Sequence, residues 1–152
     1  MSATPGSIPL LEFLVGGLRL ALPITSVRNI VEYRAAVAIP AAREGVLGLV
    51  WEDDTPVPVI DLAGVLGRTE TAPGFLVIVD SEDAPIAFPI ARVESIPSLT
   101  LEHFVHAGFC NIDIPTRHVR AVGLGENSQV IVLNLASLDD AFAPRTATGS
   151  PA

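Results

Sequence analysis

Apolar and polar residues alternate over short distances along this chain, and the pattern comes twice. Leu18, Leu20 and Leu22 stand two apart behind Gly16-Gly17, and Phe13-Leu14-Val15 stands before it. Two glycines between such runs predict a hairpin, because a two-residue loop needs positive φ angles that glycine takes without steric cost. The second version is Phe75-Leu76-Val77, a longer turn at Asp80-Ser81-Glu82-Asp83, and Ile86-Ala87-Phe88. ALPITSVRNI, Ala21 to Ile30, then returns as AFPIARVESI, Ala87 to Ile96. Pro23 and Pro89 end their strands by removing a donor. Ile24, Val27, Ile30 and Ile90, Val93, Ile96 follow at a spacing of three, which predicts one or two helical turns with the apolar side facing in.

A short extended piece near Val37 to Pro40 leads to two strands, Gly45 to Trp51 and Pro56 to Ile60, joined by the turn Glu52-Asp53-Asp54-Thr55. Pro56 and Pro58 are two apart, so both missing N–H groups point the same way, as an edge or barrel rim accepts. Asp61 is placed to cap a short helix, Leu62 to Leu66, ended by Gly67. The block from Val57 to Ala63 has its echo in Val130 to Ala136, with Asn134 in the slot of Asp61. Val119 to Leu124 and Gln129 to Leu133 flank Gly125-Glu126-Asn127-Ser128, the counterpart of the acidic turn. Arg68 to Gly74 is the junction, and only His103 to Arg117 lacks a partner in the first half. Three blocks repeated in one order predict a duplication.

Each half supplies about five short strands. An open sheet of that size exposes two unpaired edges, so each half is expected to close into a small barrel. Units of about 60 residues are marginal alone, and the two barrels are expected to share a core and leave a groove at their junction. Residues 1–9 and 143–152, rich in Ala, Ser, Thr, Pro and Gly, are predicted to be disordered. The folded domain then runs over 10–142, with barrel one from about residue 20 to 70 and barrel two from about 75 to 138.

Composition narrows this further. Apolar residues reach 49% but aromatics only 5%, so the core must consist mostly of Val, Ile, Leu and Ala. The most apolar stretch, Leu10 to Ile24, is interrupted by Glu12, Arg19 and Pro23, well short of the ~18 uninterrupted residues of a membrane span. No Lys or Arg precedes it, so no secretory signal is expected. The lone Cys110 fits a reducing compartment, and a cytoplasmic location is expected. A net charge of −8 argues against nucleic acid and toward basic partners.

Candidate chemistry is sparse. His103, His106 and Cys110, with Asp113 and His118 beyond, match no familiar zinc spacing and read as a polar loop. Asp53, Asp54 and Asp61 could be imagined as paired carboxylates, but a turn and a helix cap account for them. No catalytic residue, metal or cofactor is therefore expected. Trp51, the only tryptophan, either fills a barrel, the preferred reading, or anchors an exposed patch.

Several blocks carry a resemblance: Glu12-Phe13-Leu14-Val15, Leu22-Pro23-Ile24 with Val27 and Ile30, Ile39-Pro40, Gly48-Leu49-Val50, and above all Val57-Pro58-Val59-Ile60-Asp61-Leu62 with Leu66-Gly67. From Glu12 to about Leu138 the chain resembles the CheW-like family of bacterial chemotaxis coupling proteins. The resemblance implies a mainly β fold of two intertwined five-stranded SH3-like β-barrels with short helices and strands exchanged at the ends. It implies an adaptor that links a CheA-type histidine kinase, through the kinase's regulatory domain, to the cytoplasmic helices of methyl-accepting chemoreceptors. The receptor groove would be lined or flanked by Val27, Asn29, Ile30, Trp51 and Asp53. Two departures stand out. Asp53 replaces the arginine of the family's Asn-Leu-Arg-Gly, and Asn29 replaces a frequent glutamate, leaving Arg28 to pair with Asp53 in reverse. The alternative is a divergent adaptor of the same fold in surface motility or pilus control, presenting Glu52, Asp53 and Asp54 to a basic partner.

Overall fold

The computed structural model describes residues 7–81, 84–95, 98–100, 104–105, 114–124 and 129–142. Strands dominate, as the β-branched composition requires. They are β1 (Ser7–Val15), β2 (Leu18–Pro23), β3 (Val27–Glu32), β4 (Val46–Glu52), β5 (Thr55–Ile60), β6 (Phe75–Asp80), β7 (Pro85–Ile90), β8 (Arg92–Ser95), β9 (Ser98–Thr100), β10 (Phe104–Val105), β11 (Val119–Leu124) and β12 (Gln129–Leu133). Two helices, α1 (Leu62–Val65) and α2 (Leu135–Phe142), follow β5 and β12, and 3-10 turns occupy Ile24–Ser26 and Thr116–His118. β1 begins at Ser7, inside the stretch expected to lack structure, and Ser7 to Pro9 pair with β9. Residues 143–152, the other such stretch, lie outside the described residues.

One sheet runs β3-β6-β7-β5-β4, and the other β10-β11-β12-β2-β1-β8 with β9 also on β1. Without the short β9 and β10, the second sheet repeats the order of the first, read as β8-β1-β2-β12-β11. Each holds one parallel strand pair at the same place, β5 with β7 through Val59↔Ala87 and β12 with β2 through Ile131↔Leu20 and Val132↔Ala21. The duplication is therefore built by exchange: β1 and β2 of the first half pair with strands of the second half, while β6 and β7 pair with strands of the first.

Alternation along the exchanged strands divides the core. In β6, Val77 and Val79 face a shared core with Phe13, Leu20, Leu22, Phe88, Ile90, Leu62 and Leu138. Leu76 and Ile78 face the opposite way, into the first barrel with Val50, Val57, Val59 and Ala87. A smaller cluster of Leu10, Ala21, Val130 and Val132 fills the equivalent interior of the other barrel. Buried on both faces, β6 and β7 read as nearly continuous apolar runs.

Three expectations change. Ile24–Ser26 makes a single 3-10 turn, but Val27 to Glu32 and Arg92 to Ser95 are strands and not helical turns. The reason is a bulge in each. The β3–β6 register slips between Val27 and Asn29, leaving Arg28 as the extra residue. The β1–β8 register slips at the matching place, leaving Glu94 between Val93 and Ser95. One inserted residue turns an inward spacing of two into three, which imitates a helix. Second, Leu10↔Pro23 and Leu76↔Pro89 are equivalent pairs, so Phe75-Leu76-Val77 corresponds to Pro9-Leu10-Leu11 and not to Phe13-Leu14-Val15. Hairpins of unequal loop length shift the apparent alignment. Third, β5 lies between β4 and β7 and is not a rim. Pro56 and Pro58 are tolerated because the ladder to β7 holds only Val59↔Ala87.

Candidate functional site

The first barrel closes where β3 meets β4, the two ends of its strand order. No backbone ladder joins them; side chains do. The bulge at Arg28 turns both Arg28 and Asn29 outward, while Val27 and Ile30 stay half-buried against the shared core. On β4, Glu52 is the last rung before the turn and pairs with Thr55. Asp53 and Asp54 occupy the turn with φ of 47° and 67°, a left-handed pair that aspartate tolerates better than most residues.

Glu52 draws the seam together. Its carboxylate accepts from Asn29 Nδ2 at 3.1 Å and lies 3.8 Å from Arg28 Nε. Arg28 also reaches Asp80 at the end of β6, at 3.5 Å. The guanidinium is about half exposed, so each of these ion pairs contributes at most ~1 kcal/mol. Their value is positional, because they fix the ends of three strands. The expected Arg28–Asp53 pair is corrected by this geometry: the left-handed turn carries Asp53 beyond the last rung, and Glu52 takes its place.

Trp51 is 55% exposed, which overturns its preferred assignment to a barrel interior. Val50 is buried, and Trp51, next along the strand, therefore faces out. Its carbonyl accepts from the Arg34 guanidinium. The five expected groove residues thus divide among four places. Val27 and Ile30 flank the shared core, Asn29 joins Glu52 at the seam, Trp51 lies on the outer face, and Asp53 forms the tip. Asp54 shares that tip.

Sequence reasoning missed Asp80 and Arg34, whose partners are distant in the chain and carry no local signal. It also missed the role of Glu12. Equivalent registers place Glu12 where the other barrel has Ile78, and it is 6% exposed, compensated by Arg19 Nε at 2.8 Å. Asp61 caps α1 as expected, accepting from the Gly64 N–H at 3.0 Å.

His118 is 1% exposed and belongs to a closed network. Ser137 Oγ donates to the Asn134 carbonyl at 2.7 Å, so its one hydrogen is spent, and His118 Nδ1 must donate to Oγ, 2.7 Å away. Nε2 then accepts from Arg117 Nε at 3.3 Å. Burial first and Arg117 second hold this imidazole below its ordinary pKa, in the neutral form. The ring anchors α2 to the 3-10 turn before β11.

A cavity of about 460 Å³ opens where Pro23 and Ser26 meet Val119, Arg120, Leu133 and Asn134; among the described residues Arg120 is its one ionisable lining residue. Among the described residues no three His, Cys, Asp or Glu converge as metal ligands, and none of the helices is long and apolar enough to cross a membrane. His103, His106, Cys110 and Asp113 lie outside the described residues.

Comparison with known proteins agrees with this architecture. Residues 9–142 match the CheW-like domain family. No curated protein matches the sequence. Among solved structures, the scaffolding protein TtCheW from Thermoanaerobacter tengcongensis aligns with a TM-score of 0.79 at 17% identity, over 89% of each chain, which shows a common fold.

Proposed function

The chain belongs to the CheW-like family, whose members are non-enzymatic scaffold proteins, and from that premise we propose that it couples a CheA-type histidine kinase to chemoreceptor cytoplasmic helices in a chemotaxis pathway of the cytoplasm. The observation that carries the proposal is the exchanged double barrel extending through the family match. A kinase regulatory domain of the same fold could pair with it barrel to barrel. Val27 and Ile30, at the flank of the shared core, offer a receptor helix an apolar strip.

The test is isothermal titration of the full chain with the kinase's regulatory domain. Association at tens of micromolar or tighter is expected, and its absence at that concentration overturns the proposal. A receptor-tip fragment in the same experiment separates the alternative adaptor role. That alternative draws on Asp53, which stands where the family has arginine; an adaptor of another chemosensory-type pathway would bind the kinase domain and ignore the receptor fragment.

A further inference from the structure

The outward face of β4 and β5 carries apolar side chains that no other described residue covers. Val50 and Val57 are buried, so the alternate positions face away. Trp51 stands opposite Pro56 and Leu49 opposite Pro58, and Val37 bridges Leu49 from the other side. Val37 is 62% exposed, Trp51 is 55% exposed, and Pro56 is exposed as well. Single exposed apolar residues are ordinary, whereas a contiguous group rimmed by charge marks an interaction site, with tryptophan a favoured anchor.

The edge of β4 is closed to strand addition. Leu49 exchanges both backbone bonds with Val37, at 2.8 and 2.9 Å, and the Trp51 carbonyl is taken by Arg34. An occupant must therefore lie on the face. At the end of that face stand Asp53 and Asp54, held outward by their left-handed backbone. Glu52 is compensated by Arg28 and Asn29, but no cation among the described residues neutralises these two.

We propose that this face docks a partner protein through a segment whose apolar side chains cover Trp51, Val37 and Pro56 and whose lysine or arginine meets Asp53 and Asp54. The surface is distinct from the Val27–Ile30 strip and rests on the scaffold reading only in expecting a protein ligand. Since Trp51 is the only tryptophan, its emission reports this face alone.

The experiment titrates the full chain with a synthetic amphipathic peptide of leucine and lysine, and with its twin carrying glutamate for lysine, while following tryptophan emission. The lysine peptide is expected to shift emission to the blue and the glutamate peptide to leave it unchanged. D53N/D54N removes the charge and keeps residues that accept a left-handed backbone. It is expected to weaken the lysine peptide about fivefold, while E32Q/E44Q, with the same change in net charge, leaves affinity within about twofold. No shift with the lysine peptide, equal shifts with both peptides, or equal weakening by both double variants overturns the proposal. Kinase-domain binding is read by calorimetry on the unsubstituted chain, so failure there is a separate result.

Discussion

Phe13 on β1 and Phe88 on β7 meet across the interface between the two sheets, with ring centroids 5.7 Å apart and planes inclined by 37°. Both rings are fully buried, and each belongs to a strand that has crossed to pair with the opposite half. The contact therefore ties exchange and core together. Phe88→Ala is expected to cost about 3–5 kcal/mol, the usual range for losing a buried aromatic ring. Unfolding in urea should remain one transition, with tryptophan fluorescence from the first barrel and far-ultraviolet dichroism from the whole chain coinciding. Two separated transitions would show barrels that fold independently.

Gly48 lies where the segment from Arg34 to Gly45 crosses β4. Its φ is 145°, and a β-carbon there would come within 2.3 Å of the Val37 carbonyl oxygen. That neighbour is backbone, bonded to Leu49, and cannot swing aside. Gly48→Ala should lose about 2 kcal/mol or more by chemical denaturation. A variant as stable as the parent would mean that the crossing segment yields freely.

The Asn29–Glu52 contact should prove weaker than its position suggests. In a double-mutant cycle of Asn29→Ala and Glu52→Ala, the coupling energy is expected to stay below about 1 kcal/mol, since one partner is exposed. A substantially larger coupling would make the seam an energetic support of the barrel and not only a positional one.

His118 gives the fold a defined response to acid. Its folded-state pKa lies below the unfolded value of ~6.5. The unfolded chain therefore binds the proton more readily, and this residue's contribution to stability is intact above ~6.5 and declines as pH falls below it toward the folded pKa. Protonation would also set an Nε2–H against the Arg117 N–H that it now accepts. The difference in melting temperature between the parent and His118→Gln should shrink from pH 7.5 to pH 5. A difference independent of pH would place the proton elsewhere.

Much of this was legible because burial leaves a periodic trace. The repeat of Ala21 to Asn29 at Ala87 to Ser95 survives in the structure, and the Asp61 cap, the Gly16-Gly17 hairpin and the acidic turn lie where expected. What failed did so for local reasons. The bulges at Arg28 and Glu94 counterfeit a helical spacing. Trp51 is expected to fill a barrel, yet its strand neighbour Val50 takes the interior position. The contacts of Arg28 with Asp80 and of Gly16 with Glu70 span 52 and 54 residues, a separation at which no pattern in the chain announces a pair. The resemblance to CheW-like proteins supplied the exchange of strands, which periodicity could not.

Because β1 and β2 complete one sheet and β6 and β7 the other, the loop from Gly67 to Gly74 does not divide the molecule into two modules. Severing it would yield fragments that each lack the central strands of their own barrel, as in a split reporter, where recovery depends on the pieces finding each other in solution. A gene fusion that borrowed only one copy of the repeat would inherit an incomplete sheet. Evolution can thus graft partners onto this scaffold's outer surfaces far more readily than it can shuffle its halves.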